Sequence, residues 1–190
     1  MTWDYLAWRA SFDTSDGAKL CCGSTVHLQP LQLEDTDEIL CWRNQPFVRS
    51  HFIYQQDFTR SGHLRWFGEQ LLSGGAMQFL IVANADERHL GSTYLRDIDW
   101  RHQKAEFGIF LGAAEEAGHG IGTEAAHLLL RYAFDGLHLH RVYLRVFADN
   151  ARAIAAYQKA GFQMEGRLRE SVCIDGQYRD LLLMAAVAER

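Results

Sequence analysis

Apolar and polar positions change period several times along the chain, and each change marks an element. Val26 and Leu28 alternate with polar neighbours up to Pro30 and read as a first strand. From Glu34 to Asn44, Ile39, Leu40 and Trp42 fall at helical spacing, with Asp35 and Asp37 near the positive end of the helix dipole. A second helix is expected from Ser61 to Leu72. Gln78–Val82 and Leu90–Leu95 are short apolar runs around the polar turn 84–88, the pattern of a hairpin. Ala105–Leu111 is a similar run, apolar except for Glu106. Ile121, Ala125, Leu128 and Tyr132 then form one stripe of an amphipathic helix that Gly136 stops. In Arg141–Phe147, Val142, Leu144 and Val146 alternate with Arg141, Tyr143 and Arg145. A helix over Ala151–Ala160 ends at Gly161, and strands at Phe162–Arg167 and Tyr178–Val187 flank the turn Asp175-Gly176. Residues 1–24 show no clear period and read as an N-terminal extension to a domain spanning 25–190. Strands mixed with helices in one compact unit give an α/β or α+β class with a mixed sheet.

Composition narrows the class. The chain has 190 residues, 48% hydrophobic and 23% charged, the balance of a globular domain, with a net charge of −5 that argues against a bulk nucleic-acid binder. At this length about 70% of the unfolded surface is buried on folding, so no disulfide or metal staple is needed. No run approaches the roughly 20 apolar residues of a bilayer span, and Met1–Arg9 lacks the basic-then-apolar pattern of a signal peptide. These readings predict a cytoplasmic protein with no membrane partner. Cys21, Cys22, Cys41 and Cys173 contain no C-x-x-C pair and read as reduced thiols. His138 and His140 would share one face of a strand, but no thiolate or carboxylate at ligand spacing accompanies them, so no metal is expected.

Six of the 16 glycines lie between Gly108 and Gly136, and three form Gly118-His-Gly120-Ile-Gly122. A strand, a glycine-rich loop and an amphipathic helix together present free backbone N–H groups and a positive helix end to a phosphate. A P-loop is excluded because its lysine is missing. A Rossmann turn fits poorly, since Thr123 replaces the third glycine and residues 112–117 intervene after the strand. A loop that merely packs tightly is the remaining alternative.

Downstream, Asn150, Ala153, Tyr157, Gly161 and Phe162 complete a second pattern, Asn-x-x-Ala-x-x-x-Tyr-x-x-x-Gly-Phe. With Ala117-Gly118-His119-Gly120-Ile121-Gly122, the chain from Thr25 onward resembles the GNAT superfamily of acyl-CoA N-acetyltransferases, most closely its RimJ/RimL-like branch. The resemblance implies a mostly antiparallel mixed sheet flanked by helices, with the glycine loop leading into the central helix. It implies acetyl-CoA as co-substrate, cradled by Ala117, Gly118, His119, Gly120, Ile121, Gly122, Thr123 and Asn150, with the backbone of Ile109 and Leu111 along the pantetheine arm. Ala117 departs from the family's usual Gln or Arg, and Glu115 and Glu116 place acidic groups beside a dianion.

Acetyl transfer to an amine needs a neutral amine, an oxyanion stabiliser and a proton for the leaving thiolate. By the resemblance, Tyr157 is the general acid. Glu106 is a candidate base, with an ion pair inside the sheet as the rival reading, and His102, Asp97, Asp99 or a water are further candidates. The acceptor is expected at Trp42, Arg43, Asn44 and Arg49, a segment resembling that of enzymes acting on nucleotide-linked amino sugars. Arginines beside an aromatic suit phosphates and a planar base; the same letters also fit a solvated helix end. Three functions follow: a small-molecule N-acetyltransferase acting on an amino sugar or a polyamine, a protein N-terminal or ribosomal-protein acetyltransferase acting on a peptide N-terminus, and a catalytically silent acyl-CoA-binding module. The resemblance also implies a homodimer.

Overall fold

The computed structural model describes residues 4–12 and 16–189. Seven strands form one sheet: β1 (Val26–Pro30), β2 (Met77–Ala83), β3 (His89–Asp99), β4 (Lys104–Leu111), β5 (Arg141–Phe147), β6 (Gln163–Ile174) and β7 (Gln177–Val187). Their order is β1-β2-β3-β4-β5-β7-β6, antiparallel throughout except for β4 with β5. This is the mixed, mostly antiparallel sheet flanked by helices that the resemblance implied.

Period-two alternation sends successive side chains to opposite faces, and each face has its own core. One face carries Met77, Phe79, Ile81, Leu95, Ala105, Phe107, Val142, Leu144 and Val146. It is covered by α6 (Ile121–Arg131), with the buried stripe Ile121, Ala125, Leu128 and Leu129, and by α7 (Ala151–Ala160). The other face carries Leu80, Val82 and Phe110 and packs against Ile39 and Trp42 of α3 (Thr36–Arg43), Val48 of α4 (Pro46–Arg49) and Phe67 just beyond α5 (Arg60–Trp66).

Several boundaries differ from expectation for local reasons. The helix expected at Ser61–Leu72 is α5 followed by a π turn at Phe67–Leu71. The second strand of the first hairpin runs on to Asp99, past a register shift at which Asp97 takes φ 51. Asp175 (φ 50) and Gly176 (φ 78) both adopt the positive φ of a type I′ turn, which lets β6 and β7 pair through Ile174 and Gln177.

The N-terminal extension was expected to be aperiodic. Instead it contains α1 (Tyr5–Phe12) and α2 (Asp16–Leu20), and Tyr5, Trp8 and Phe12 lie at helical spacing on one stripe. Tyr5 and Phe12 are buried, the Tyr5 hydroxyl donates to Leu31 O at 2.5 Å, and Trp8 Nε1 donates to the Tyr132 hydroxyl at 2.7 Å. Arg131 donates to the carbonyls of Lys19, Leu20 and Cys22, while Glu124 accepts from the backbone of Ser24 and Thr25. The described part of this segment thus packs on the α6 side through Trp8 and Phe12 and reaches the core of the other face through Tyr5. No helix among the described residues is long and apolar enough to cross a membrane.

Candidate active site

β4 and β5 pair only from Lys104–Glu106 to Arg141–Tyr143. Beyond Glu106 they part: β4 stays bonded to β3 through Leu111, and β5 to β7 through Phe147. Gly112 N donates to Leu90 O on the β3 side. Backbone amides alternate in direction along a strand, so the peptide groups of Ile109 and Leu111 face the opening. A cleft of about 420 Å³ fills the wedge, bounded by both strands, the glycine loop, α7 and the segment Phe47–Tyr54.

At the loop, Gly118 (φ 92) and Gly120 (φ 84) adopt the left-handed conformation, and Gly120 caps α6. A Cβ added at Gly118, Gly120 or Gly122 would meet nothing within 4 Å, so these backbones border open space rather than a packing partner. That removes the tight-packing alternative and fits a phosphate cradle made of α6 N–H groups. Ala117, Gly118, Gly120, Gly122, Thr123 and Asn150 line the cleft with Ile109 and Leu111. Asn150 also caps α7 by accepting from Ala153 N at 3.2 Å. His119 and Ile121 do not line it: His119 is exposed, and Ile121 starts the buried stripe of α6. Glu116 accepts from Arg88 at 3.3 Å, and neither it nor Glu115 borders the cleft, which answers the concern about acidic groups beside a dianion.

Tyr157 reaches the cleft from α7, its ring held edge-on by Phe107 and Phe162 at centroid distances of 5.8 and 5.9 Å. Burial pushes its phenol well above the ordinary value, and Tyr94 adds to the shift, so the group stays protonated at neutral pH. Among the described residues nothing hydrogen-bonds its hydroxyl. Tyr94, which the sequence reading did not single out, lines the same cleft from β3 and is likewise raised by burial. Its ring crosses the bare α-carbon of Gly108, the residue opposite it in the ladder.

Glu106 is buried at 5% exposure, and both its oxygens are engaged. Arg145 donates through Nε and Nη2 at 3.0 and 3.1 Å, and Arg96 lies at 3.0 Å through Nη2. The ion-pair reading of Glu106 therefore describes what the structure contains. Arg96 stands opposite Glu106 in the β3–β4 register, and Tyr143, two residues before Arg145, stands opposite it in β5. Tyr94, Arg96, Glu106 and Arg145 thus share one sheet face. The alternation of Tyr143 and Arg145 against Val142 and Leu144 hinted at this, but only the register brings the set together. His102 and Asp99 pair with each other at 2.7 Å outside the cleft.

The expected acceptor residues lie elsewhere. Trp42 is buried against Phe110 and fills the space over Gly112. Asn44 clamps the backbone of Phe58 through both amide atoms, at 2.8 and 2.9 Å. Arg49 pairs with Asp57 at 2.5 Å. Arg43 stacks on Phe52, with its guanidinium carbon 3.2 Å from the ring centroid, and stands behind the cleft wall. Aromatic and arginine neighbours here serve packing. The wall itself is Phe47, His51, Phe52 and Tyr54, just downstream.

A model of the acetyltransferase (GNAT) domain family matches residues 25–163. The chain belongs to the GNAT acetyltransferase family. It is an acetyl-CoA-dependent N-acetyltransferase. The spermidine N(1)-acetyltransferase of Escherichia coli K12 is 31% identical over 172 residues, covering 84% of each chain. A probable N-acetyltransferase of Bacillus subtilis is 32% identical over 171 residues, covering 86% of this chain and 94% of that one. Among solved structures, the Vibrio cholerae spermidine N-acetyltransferase in complex with CoA and spermine superposes with a TM-score of 0.80 at 27% identity, covering 87% of this chain and 96% of that chain. Membership of the RimJ/RimL-like branch is a finer statement than this family match.

Proposed function

We propose that this GNAT enzyme acetylates the primary amine of a small molecule. The carrying observation is that the opening between β4 and β5 joins the glycine cradle, the Tyr157 hydroxyl and a polar acceptor face in one cleft. Bound acetyl-CoA supplies an activated thioester carbonyl and a thiolate leaving group. In this reading Gly118, Gly120 and Gly122 hold its pyrophosphate through backbone N–H groups, without the side chain that Ala117 lacks. The free peptide groups of Ile109 and Leu111 bond its arm, Asn150 lines the same channel, and Arg152 and Lys159 on α7 are available to its phosphates.

Tyr157 donates the proton to sulfur, a role supported by its raised pKa and its unpartnered hydroxyl. Glu106, the expected base, has both oxygens committed to guanidinium groups, so its part is to fix Arg96 and Arg145; a water takes the amine proton. The spermidine acetyltransferases among its relatives support a small-molecule acceptor over a peptide. Four free thiols suit a cytoplasmic location, and exposed Met164 and Leu168 on the edge strand β6 suit a homodimer, which light scattering tests. The deciding experiment is thiol release from acetyl-CoA with the wild type and Tyr157→Phe. Turnover in the variant should fall by about 10²-fold or more while coenzyme A affinity by calorimetry holds. An unchanged rate would take Tyr157 out of the mechanism.

A further inference from the structure

On that acetyltransfer reading, we infer that the acceptor amine belongs to a molecule that also carries an anionic group, a carboxylate or a phosphate, bound by Arg96 and Arg145. The acceptor side of the cleft concentrates positive charge. Two guanidinium groups share one carboxylate, and the carboxylate faces inward: the Glu106 side chain is 6% exposed, while those of Arg96 and Arg145 are 32% and 30% exposed. Arg145 spends Nε and Nη2 on Glu106, and Arg96 spends Nη2, so donors remain on both for a ligand. Asp97, the other acid near Arg96, is 3.8 Å from its Nε and points largely to solvent from the strand irregularity.

A second observation comes from behind the wall. Arg43 brings a third guanidinium, held among Phe52, Phe58 and Phe110, and its buried Nη1 has no hydrogen-bond partner among the described residues. Among the described residues no carboxylate pairs with it; burial lowers its pKa first, and Tyr94 and Arg96 then act on it in opposite directions. Arg96 and Arg145, set against the single buried carboxylate of Glu106, favour an anion over a polyamine on this side of the cleft. The planar fork of an arginine held in place by an acidic partner is suited to bidentate recognition of a carboxylate or phosphate. The tyrosines of the wall, Tyr54 and Tyr94, add neutral hydroxyl donors to the same side. Glu106 is in this view a positioning residue that holds both forks at the angle the ligand meets.

The test is a steady-state thiol-release panel of matched amines at equal acetyl-CoA. 2-Aminoethyl phosphate is paired with ethanolamine, 4-aminobutanoate with its amide, and spermidine stands for the polycations. The anionic member of at least one pair should exceed its neutral partner and spermidine in kcat/KM by about tenfold or more. Which pair responds separates phosphate from carboxylate. Arg145→Gln and Arg96→Gln should each cost that substrate about 10- to 100-fold, mostly in KM, a loss clearly larger than the one its neutral partner shows. A purely structural role for either arginine would instead lower the charged and neutral partners alike, in kcat as much as in KM.

A preference for spermidine, or equal turnover of charged and neutral partners, would overturn the assignment while leaving acetyltransfer intact. No thiol release with any amine, with coenzyme A still bound by calorimetry, would overturn both readings together. Loss of folding in the glutamine variants is checked by urea melts, and the panel on the wild type alone still decides the charge preference.

Discussion

Tyr94 can lie where it does only because residue 108 has no side chain. The two residues face each other across the β3–β4 ladder, and a Cβ on Gly108 would fall well inside 3.0 Å of the Tyr94 Cζ, Cε2 and hydroxyl oxygen. Carbon atoms pack best at about 3.5–4.0 Å, so in Gly108→Ala the ring tip must retreat by about 1 Å or more. Overpacking of this kind costs about 1–3 kcal/mol. Gly108 is not among the glycines with positive φ, so alanine itself should favour the strand by about 0.5–1 kcal/mol. In a Tyr94→Ala background the clash disappears, and Gly108→Ala should be neutral or slightly stabilising. Urea melts of the four proteins should give a coupling of about 1–3 kcal/mol, since the strand preference of alanine is common to both backgrounds and cancels. The single Gly108→Ala should also lower kcat/KM by tenfold or more, because it moves a hydroxyl that lines the cleft, an effect on the order of that from a 1 Å misplacement. Additivity within about 0.5 kcal/mol would refute the packing argument.

Three further outcomes test other parts of the molecule. Gly120→Asp puts a carboxylate into the phosphate cradle and should abolish coenzyme A binding in calorimetry while the circular dichroism spectrum is kept; normal binding would remove the cradle. Phe12→Ala, which empties a buried site beside Phe79 and Tyr132, should cost about 3–5 kcal/mol in urea melts, and a cost near zero would detach α1 from the domain. Burial holds the imidazole of His63 below its ordinary value, with Arg60 adding to the effect, so the folded chain keeps His63 neutral where the unfolded chain starts to bind a proton. Its contribution to stability is full above the unfolded value of about 6.5 and is lost as pH falls through it toward the folded value. His63→Phe should therefore flatten the urea midpoint between about pH 7 and 5, and an unaltered slope would exclude His63 as the source.

What could be read in the letters depended on how local the chemistry is. The open glycine loop is backbone geometry in a run of five residues, so Gly118, Gly120 and Gly122 announced its shape directly. The Asp175-Gly176 turn and the caps Asn150 and Gly161 are local in the same way. The polar face of the cleft was not legible, because Tyr94, Arg96, Glu106 and Arg145 come from three strands and meet only through their register. Trp42, Arg43 and Asn44 misled for the opposite reason: a tryptophan beside an arginine suggests recognition, yet in this fold they fill a core and clamp a loop. The helical stripe Tyr5, Trp8 and Phe12 was present in the sequence, but polar residues between its members concealed it within a segment short enough to pass for a tail.

The parting of β4 and β5 also divides the molecule mechanically. Only three residue pairs knit strands β1–β4 to strands β5–β7, and the working groups stand on opposite sides of that seam. Tyr94, Arg96 and the free edge of β4 ride with the first block, Arg145 with the second. Just where the backbone ladder ends, the bidentate Glu106–Arg145 pair crosses from one block to the other and acts as a rivet. Where the ladder stops, a buried charged contact thus takes over the joining of the two half-sheets, and because burial shields it from salt, it ties them alike at low and high ionic strength.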